Sequence, residues 1–130
     1  FGSKPDDLYL PHNYERNCVA YTGTHDNDTS LGWFSTASEA ERKFCLRYLH
    51  SDGKNISWDL IRVLWESVAE FALAPMQDFL SLSSEARMNF PGKLGNNWSW
   101  RMPEEAFDKH LCSQIQEINY LYSRDNREEQ

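Results

Sequence analysis

Apolar and polar positions along the chain follow two different periods. Residues 18–22, Cys-Val-Ala-Tyr-Thr, form a short apolar, β-branched and aromatic run that predicts a strand. Before it, residues 1–17 hold Pro5 and Pro11 among polar neighbours and predict a long loop. After a polar knot at 25–28, Thr36, Ser38, Glu39 and Glu41 give overlapping S/T-x-x-E capping signals for a helix ending near Leu49. "SDGKN" (51–55) predicts a turn, and a second helix is expected from about Ser57. Ile61, Leu64, Trp65 and Val68 stand at helical spacing and supply its apolar stripe. "FALAPMQDFLSL" (71–82) predicts a short buried strand despite Pro75, and 83–101 predicts another long loop. Pro103 suits the first turn of a last helix, with Phe107, Leu111, Ile115, Ile118 and Tyr122 facing a core. The charged tail from Ser123 is expected to fray.

Strands alternating with helices indicate an α/β class with a parallel sheet and crossover connections. Two strands cannot make a stable sheet alone, so the sheet is expected to be completed by residues outside this sequence. The first residue is Phe1, with no basic-then-apolar signal segment after it, which fits a chain that starts within a longer one.

Composition narrows the partners. With 40% hydrophobic and 14% aromatic residues the chain can build a packed core. A net charge of −7 and the lack of any Lys/Arg cluster disfavour nucleic acid. The apolar run from Val68 to Met76 is interrupted by Glu70 and too short for a bilayer, so no membrane partner is expected. Cys18, Cys45 and Cys112 are odd in number, widely spaced and free of CxxC pairs, which reads as three reduced thiols. The sequons at Asn27, Asn55 and Asn97 are read as chance, again favouring a non-secreted protein.

The knot His25-Asp26-Asn27-Asp28 carries the candidate chemistry. A calcium loop fails, because Leu31 takes the obligatory glycine position and Ala37 the bidentate glutamate position. A metal centre would need more ligands than His25 and Asp26, with His12 the one that could approach in space. Glycoside chemistry suits a carboxylate beside an imidazole, and Trp33, Phe34, Trp98 and Trp100 could stack on sugar faces. Against all three stands a capped turn in which the acidic groups serve only the backbone. For the tryptophans, core packing is the ordinary role.

The blocks "YLPHNY" (9–14), "YTGTHDNDTSLGWF" (21–34), "PMQDFLSL" (75–82), "EARMNFPG" (85–92) and "NNWSWR" (96–101) resemble, in this order, signatures of the 4-α-glucanotransferases, glycoside hydrolase family 77. That resemblance spans nearly the whole chain. It implies the C-terminal portion of a (β/α)8 TIM barrel, the last two β/α units and closing helix, with residues 1–130 belonging to one catalytic barrel and incomplete alone. It implies retaining transfer of α-1,4-glucan segments between maltooligosaccharides, without metal or organic cofactor. Asp26 matches the third acidic residue of the family, which stabilises the transition state. His25 matches a substrate-binding neighbour, Asn89 a glucan-contacting asparagine, and Phe1 an aromatic near the donor site. Ser83 falls in the substrate site where the family usually has glycine, so its side chain would crowd a backbone–sugar contact. "GNNWSWR" carries one asparagine more than the family's usual "GNW".

The family's nucleophile and general acid/base lie upstream of these residues, so the isolated chain is expected to be inactive. The alternatives are a glucan-binding module without chemistry and a metal-dependent hydrolase using His25, Asp26 and His12. The family implies a bacterial cytoplasmic or plastid location.

Overall fold

The computed structural model describes residues 4–125. Strand β1 (Val19–Tyr21) and strand β2 (Phe71–Leu73) pair in parallel, in the register Val19 with Phe71, Ala20 with Ala72 and Tyr21 with Leu73. The crossover between them carries three helices, α1 (Ser30–Thr36), α2 (Glu39–Leu49) and α3 (Ile56–Trp65). After β2 come the single turn α4 (Met76–Phe79) and the long α5 (Lys109–Leu121). The expected parallel pairing is therefore present.

Local chemistry accounts for most of these boundaries. Ser38 and Glu41 form a capping box at the start of α2, with Glu41 Oε2 accepting from the Ser38 N–H at 2.9 Å. The bonds from Ser38 hold the Glu41 carboxyl below the usual carboxylate range. In α3 the stripe Ile61, Leu64 and Trp65 is buried, and with Ala20, Ala69 and Ile118 it forms the main core. A second cluster of Cys45, Ile56 and Leu60 joins α2 to α3, with Trp33 and Phe34 of α1 packed against it.

Five expectations are corrected. First, the segment after the knot is helical: Thr29 closes the polar run by accepting from the Gly32 N–H at 3.1 Å, and so caps α1. Second, α3 stops at Trp65, so Val68 falls off its period and is 59% exposed. Third, β2 ends at Leu73, because Pro75 has no N–H for a ladder and instead opens α4. Within this chain the sheet has two strands among the described residues, and Val19, Tyr21, Phe71 and Leu73 are exposed on it. Fourth, Pro103 opens a 3-10 turn at Glu104–Ala106, while α5 starts six residues later at Lys109, where Asp108 accepts from the Leu111 N–H at 2.8 Å. Phe107 thus stays outside the helix and exposed.

Fifth, the start of the charged tail is anchored. Arg124 donates to the carbonyls of Trp65 (2.7 Å), Ser67 (3.1 Å) and Ala69 (3.0 Å), tying the residues after α5 to carbonyls at and just beyond the end of α3. Trp65 Nε1 donates to Asn119 Oδ1 at 2.8 Å and pins the same two helices from inside.

Candidate functional site

Both strands end at the same level. The Thr22 N–H donates to the Leu73 carbonyl at 3.1 Å, and beyond that bond the segment after β1 meets the segment after β2. The C-terminal ends of parallel strands are where such folds gather side chains that act on ligands.

The polar knot divides here into two functions. Asn27 Oδ1 accepts from the Thr24 N–H (2.8 Å) and hydroxyl (3.0 Å), closing the turn. Asp28 accepts from the Thr29 N–H (2.8 Å) on one oxygen and the Ser84 hydroxyl (2.7 Å) on the other. Beneath them Asp78, almost wholly buried, accepts from the Thr22 hydroxyl and from both the N–H and hydroxyl of Ser30. Asn27, Asp28 and Asp78 therefore hold backbone N–H groups and neighbouring hydroxyls, as a capped turn requires.

His25 and Asp26 point elsewhere, with side chains 56% and 50% exposed. Asn89 Nδ2 donates to Asp26 Oδ1 at 2.7 Å, and His25 Nε2 stands 3.4 Å from the same oxygen. Both contacts fall on Oδ1 of a half-exposed carboxylate, whose two oxygens can each accept more than one hydrogen bond. Arg87 donates to the main-chain carbonyls of Asp26 (2.6 Å) and Asn89 (2.9 Å).

Trp98 covers His25, with ring centroids 5.0 Å apart. Its loop is closed by the Phe90 N–H on Asn97 Oδ1 (2.9 Å) and the Trp98 N–H on the Met88 carbonyl (2.7 Å). Asn96 and Trp98 both take positive φ (57° and 58°), and an indole in that region is a strained choice. A cavity of about 170 Å³ lies under this group, lined among others by His25, Asp28, Arg87, Met88 and Trp98.

The structure thus brings together three residues singled out from the sequence, His25, Asp26 and Asn89. Ser83 stands apart from that hydrogen-bonded set: its hydroxyl donates to Glu85, which keeps the Glu85 carboxyl below its ordinary range. Phe1 lies outside the described residues. His12 is held in its own loop, Nδ1 on the Tyr48 hydroxyl and Nε2 on the Pro5 carbonyl, each at 2.9 Å. It does not join His25 and Asp26. Among the described residues no group of three or more His, Cys, Asp or Glu is placed to hold a metal ion. No described helix is long and apolar enough to cross a membrane. Arg87, inside "EARMNFPG", escaped the sequence reading; Trp98 was expected to stack on sugar or pack in a core, and its ring lies instead against His25.

A family model described as 4-alpha-glucanotransferase, glycoside hydrolase family 77, matches residues 1–107. The chain belongs to the 4-alpha-glucanotransferase family. It is 46% identical to the 4-alpha-glucanotransferase of Clostridium butyricum over 95% of its own length and 26% of that protein's. It is 41% identical to the chloroplastic/amyloplastic 4-alpha-glucanotransferase of Arabidopsis thaliana, over 95% of this chain and 22% of that protein. Among solved structures, an amylomaltase from Streptococcus agalactiae in complex with acarbose superposes with a TM-score of 0.92 at 31% identity. That match covers 97% of this chain and 26% of the amylomaltase, so the chain spans about a quarter of the family members it resembles. The α/β arrangement, including the parallel strand pair and the segments that follow it, is in this sense the arrangement of a 4-alpha-glucanotransferase.

Proposed function

We propose that this chain is the C-terminal part of a (β/α)8 barrel that transfers α-1,4-glucan segments to the 4-hydroxyl of an acceptor sugar. In that reading β1 and β2 are its last two strands, and α5 is the closing helix. The observation that carries it is the 2.7 Å bond from Asn89 to Asp26, which joins the segments following both strands around one half-exposed carboxylate.

Asp26 stabilises the oxocarbenium-like transition state and binds hydroxyls of the sugar being transferred. A carboxylate oriented on one oxygen by an amide and an imidazole can accept from sugar hydroxyls with the other, and it gains most as positive charge develops on the ring. His25 and Asn89 bind the same sugar, while Ser83 borders the site through its backbone, its hydroxyl being held by Glu85. Retaining transfer needs two further carboxyl groups roughly 5–5.5 Å apart across the scissile bond. The family resemblance puts the nucleophile and the acid/base upstream of these residues, and Asp28 and Asp78, committed to backbone and hydroxyl donors, are not assigned either role. The isolated chain binds at most part of a maltooligosaccharide and turns nothing over. The location we propose is the cytoplasm in a bacterium, or the plastid in a photosynthetic eukaryote, the latter supported by the chloroplastic/amyloplastic plant relative.

The test compares the intact protein with its Asp26→Asn variant on maltotriose. Glucose and a ladder of longer oligosaccharides are expected from the wild type. Asp26→Asn should lower the rate by at least about a hundredfold with the fold intact. A ladder undiminished in the variant would remove Asp26 from the reaction.

A further inference from the structure

Arg87, two residues before Asn89, reaches both Asn89 and Asp26. It follows a 3-10 turn (Ser84–Ala86), its own N–H donating to the Ser84 carbonyl at 3.1 Å. The residue before it is anchored from α4, where Gln77 Nε2 donates to the Ala86 carbonyl at 3.1 Å. The Arg87 main chain is therefore fixed, and its guanidinium reaches out between two segments. One arm, Nη2, donates to the Asp26 carbonyl at 2.6 Å, and Nε donates to the Asn89 carbonyl at 2.9 Å. The Phe90 ring lies 4.6 Å from Cζ and supports the group from one side.

Those two carbonyls belong to the same two residues whose side chains meet at 2.7 Å. We propose that Arg87 is a positioning residue, whose guanidinium bridges the main chains of Asp26 and Asn89 and so sets the Asp26 carboxylate for glycosyl transfer. Its consequence for the rate rests on the transfer reading above; the bridge itself does not. The planar fork fixes the distance and angle between both carbonyls at once, which a lysine ammonium on a flexible stem cannot do. Without it, the two residues would be joined only by the Asn89–Asp26 bond, the next link between their segments being Ser84 to Asp28, and a carboxylate displaced by about 1 Å can lose about a hundredfold in rate. Arg87 touches no substrate in this scheme.

The test uses the intact enzyme as wild type, Arg87→Ala, Arg87→Lys and Asp26→Asn, with maltotriose kinetics and a crystal structure of each Arg87 variant. Arg87→Ala is expected to lower kcat by about 10- to 100-fold with KM changed much less. Arg87→Lys should fall between Ala and wild type, and it serves as the variant if Ala does not fold. Guanidinium ion at sub-denaturing concentration should restore part of the rate to Arg87→Ala and none to Asp26→Asn. In the crystals, Asn89 and Asp26 should separate beyond hydrogen-bonding distance. A retained Asn89–Asp26 bond, or an unchanged kcat, in a folded Arg87→Ala or Arg87→Lys protein would overturn the proposal. Undiminished transfer by Asp26→Asn would instead overturn the transfer reading, while the crystal comparison would still decide whether Arg87 holds the pair together.

Discussion

Asp78 holds Ser30 by two hydrogen bonds, one to its N–H and one to its hydroxyl, each 2.8 Å long. The contact joins the start of α1 to α4 across most of the crossover, and a third bond from the Thr22 hydroxyl brings the end of β1 to the same carboxylate. With Asp78 only 1% exposed, every donor aimed at it loses its partner if it is removed. Asp78→Ala should therefore destabilise the intact protein by about 3 kcal/mol, seen as a lowered Tm in thermal unfolding. Asp78→Asn keeps one acceptor oxygen, and the two hydroxyls can turn to accept from its amide. It should cost about half as much.

Gly32 marks a second constraint on the same corner. A Cβ there would stand 2.5 Å from Asp28 Oδ1 and would clash with Ser84 Oγ as well. Gly32→Ala should thus break the Asp28–Ser84 bond and cost about 2 kcal/mol, although alanine is the better helix former. Gly32→Ala combined with Ser84→Ala should recover part of that loss. A double variant no more stable than the single one would show that the clash lies elsewhere.

The parts of the fold legible in the sequence are those fixed by neighbours along the chain. The capping box at Ser38 and the stripe Ile61, Leu64 and Trp65 write α2 and α3 in local terms. By contrast α1 depends on Asp78, 48 residues from Ser30, and a glycine at its third position hides it further. Val68 fits the period of α3 and is still exposed, because periodicity does not say where a helix stops. At the site, His25, Asp26 and Asn89 were readable because a resemblance named them; residue type and spacing alone left Asp26 level with a capped turn. The capped turn does account for part of the knot, since Asn27 and Asp28 hold the turn. Arg87 stayed invisible and Trp98 was visible only as an aromatic without an assigned neighbour, since each meets a partner more than 60 residues away.

Cys45 is fully buried between α2 and α3, and burial pushes its thiol up to about 11. Native alkylation near neutral pH should label Cys18 and Cys112, which are half-buried, well before Cys45, as peptide mass spectrometry would show. The raised value also fixes a sign. The folded state holds the proton more tightly than the unfolded chain, whose thiol titrates near 9.0, so this contribution to stability is complete below that pH. It is lost progressively as pH rises from about 9 towards 11. Cys45→Ala removes the titrating group, and its stability should fall less steeply than the wild type's over that alkaline window. Equal slopes would show that Cys45 does not titrate there.

Trp98 sets stability against positioning at a single residue. Its positive φ disfavours any side chain by about 1 kcal/mol, while its ring covers His25 beside the Asp26 carboxylate. Trp98→Gly relieves the backbone and loses the ring contact, which is itself worth about 1 kcal/mol, so stability should change little. Trp98→Ala keeps the strain and loses the contact, and its Tm should be the lower of the two. Both should weaken transfer by about tenfold through a loosened His25, whereas Trp98→Phe should retain most of the rate. The measurement is Tm and kcat/KM on all three variants of the intact protein. If Trp98→Gly matched wild type in both, the indole would be an exposed side chain without a role. If it matched in stability alone, the strained backbone would be in place to hold the ring over His25.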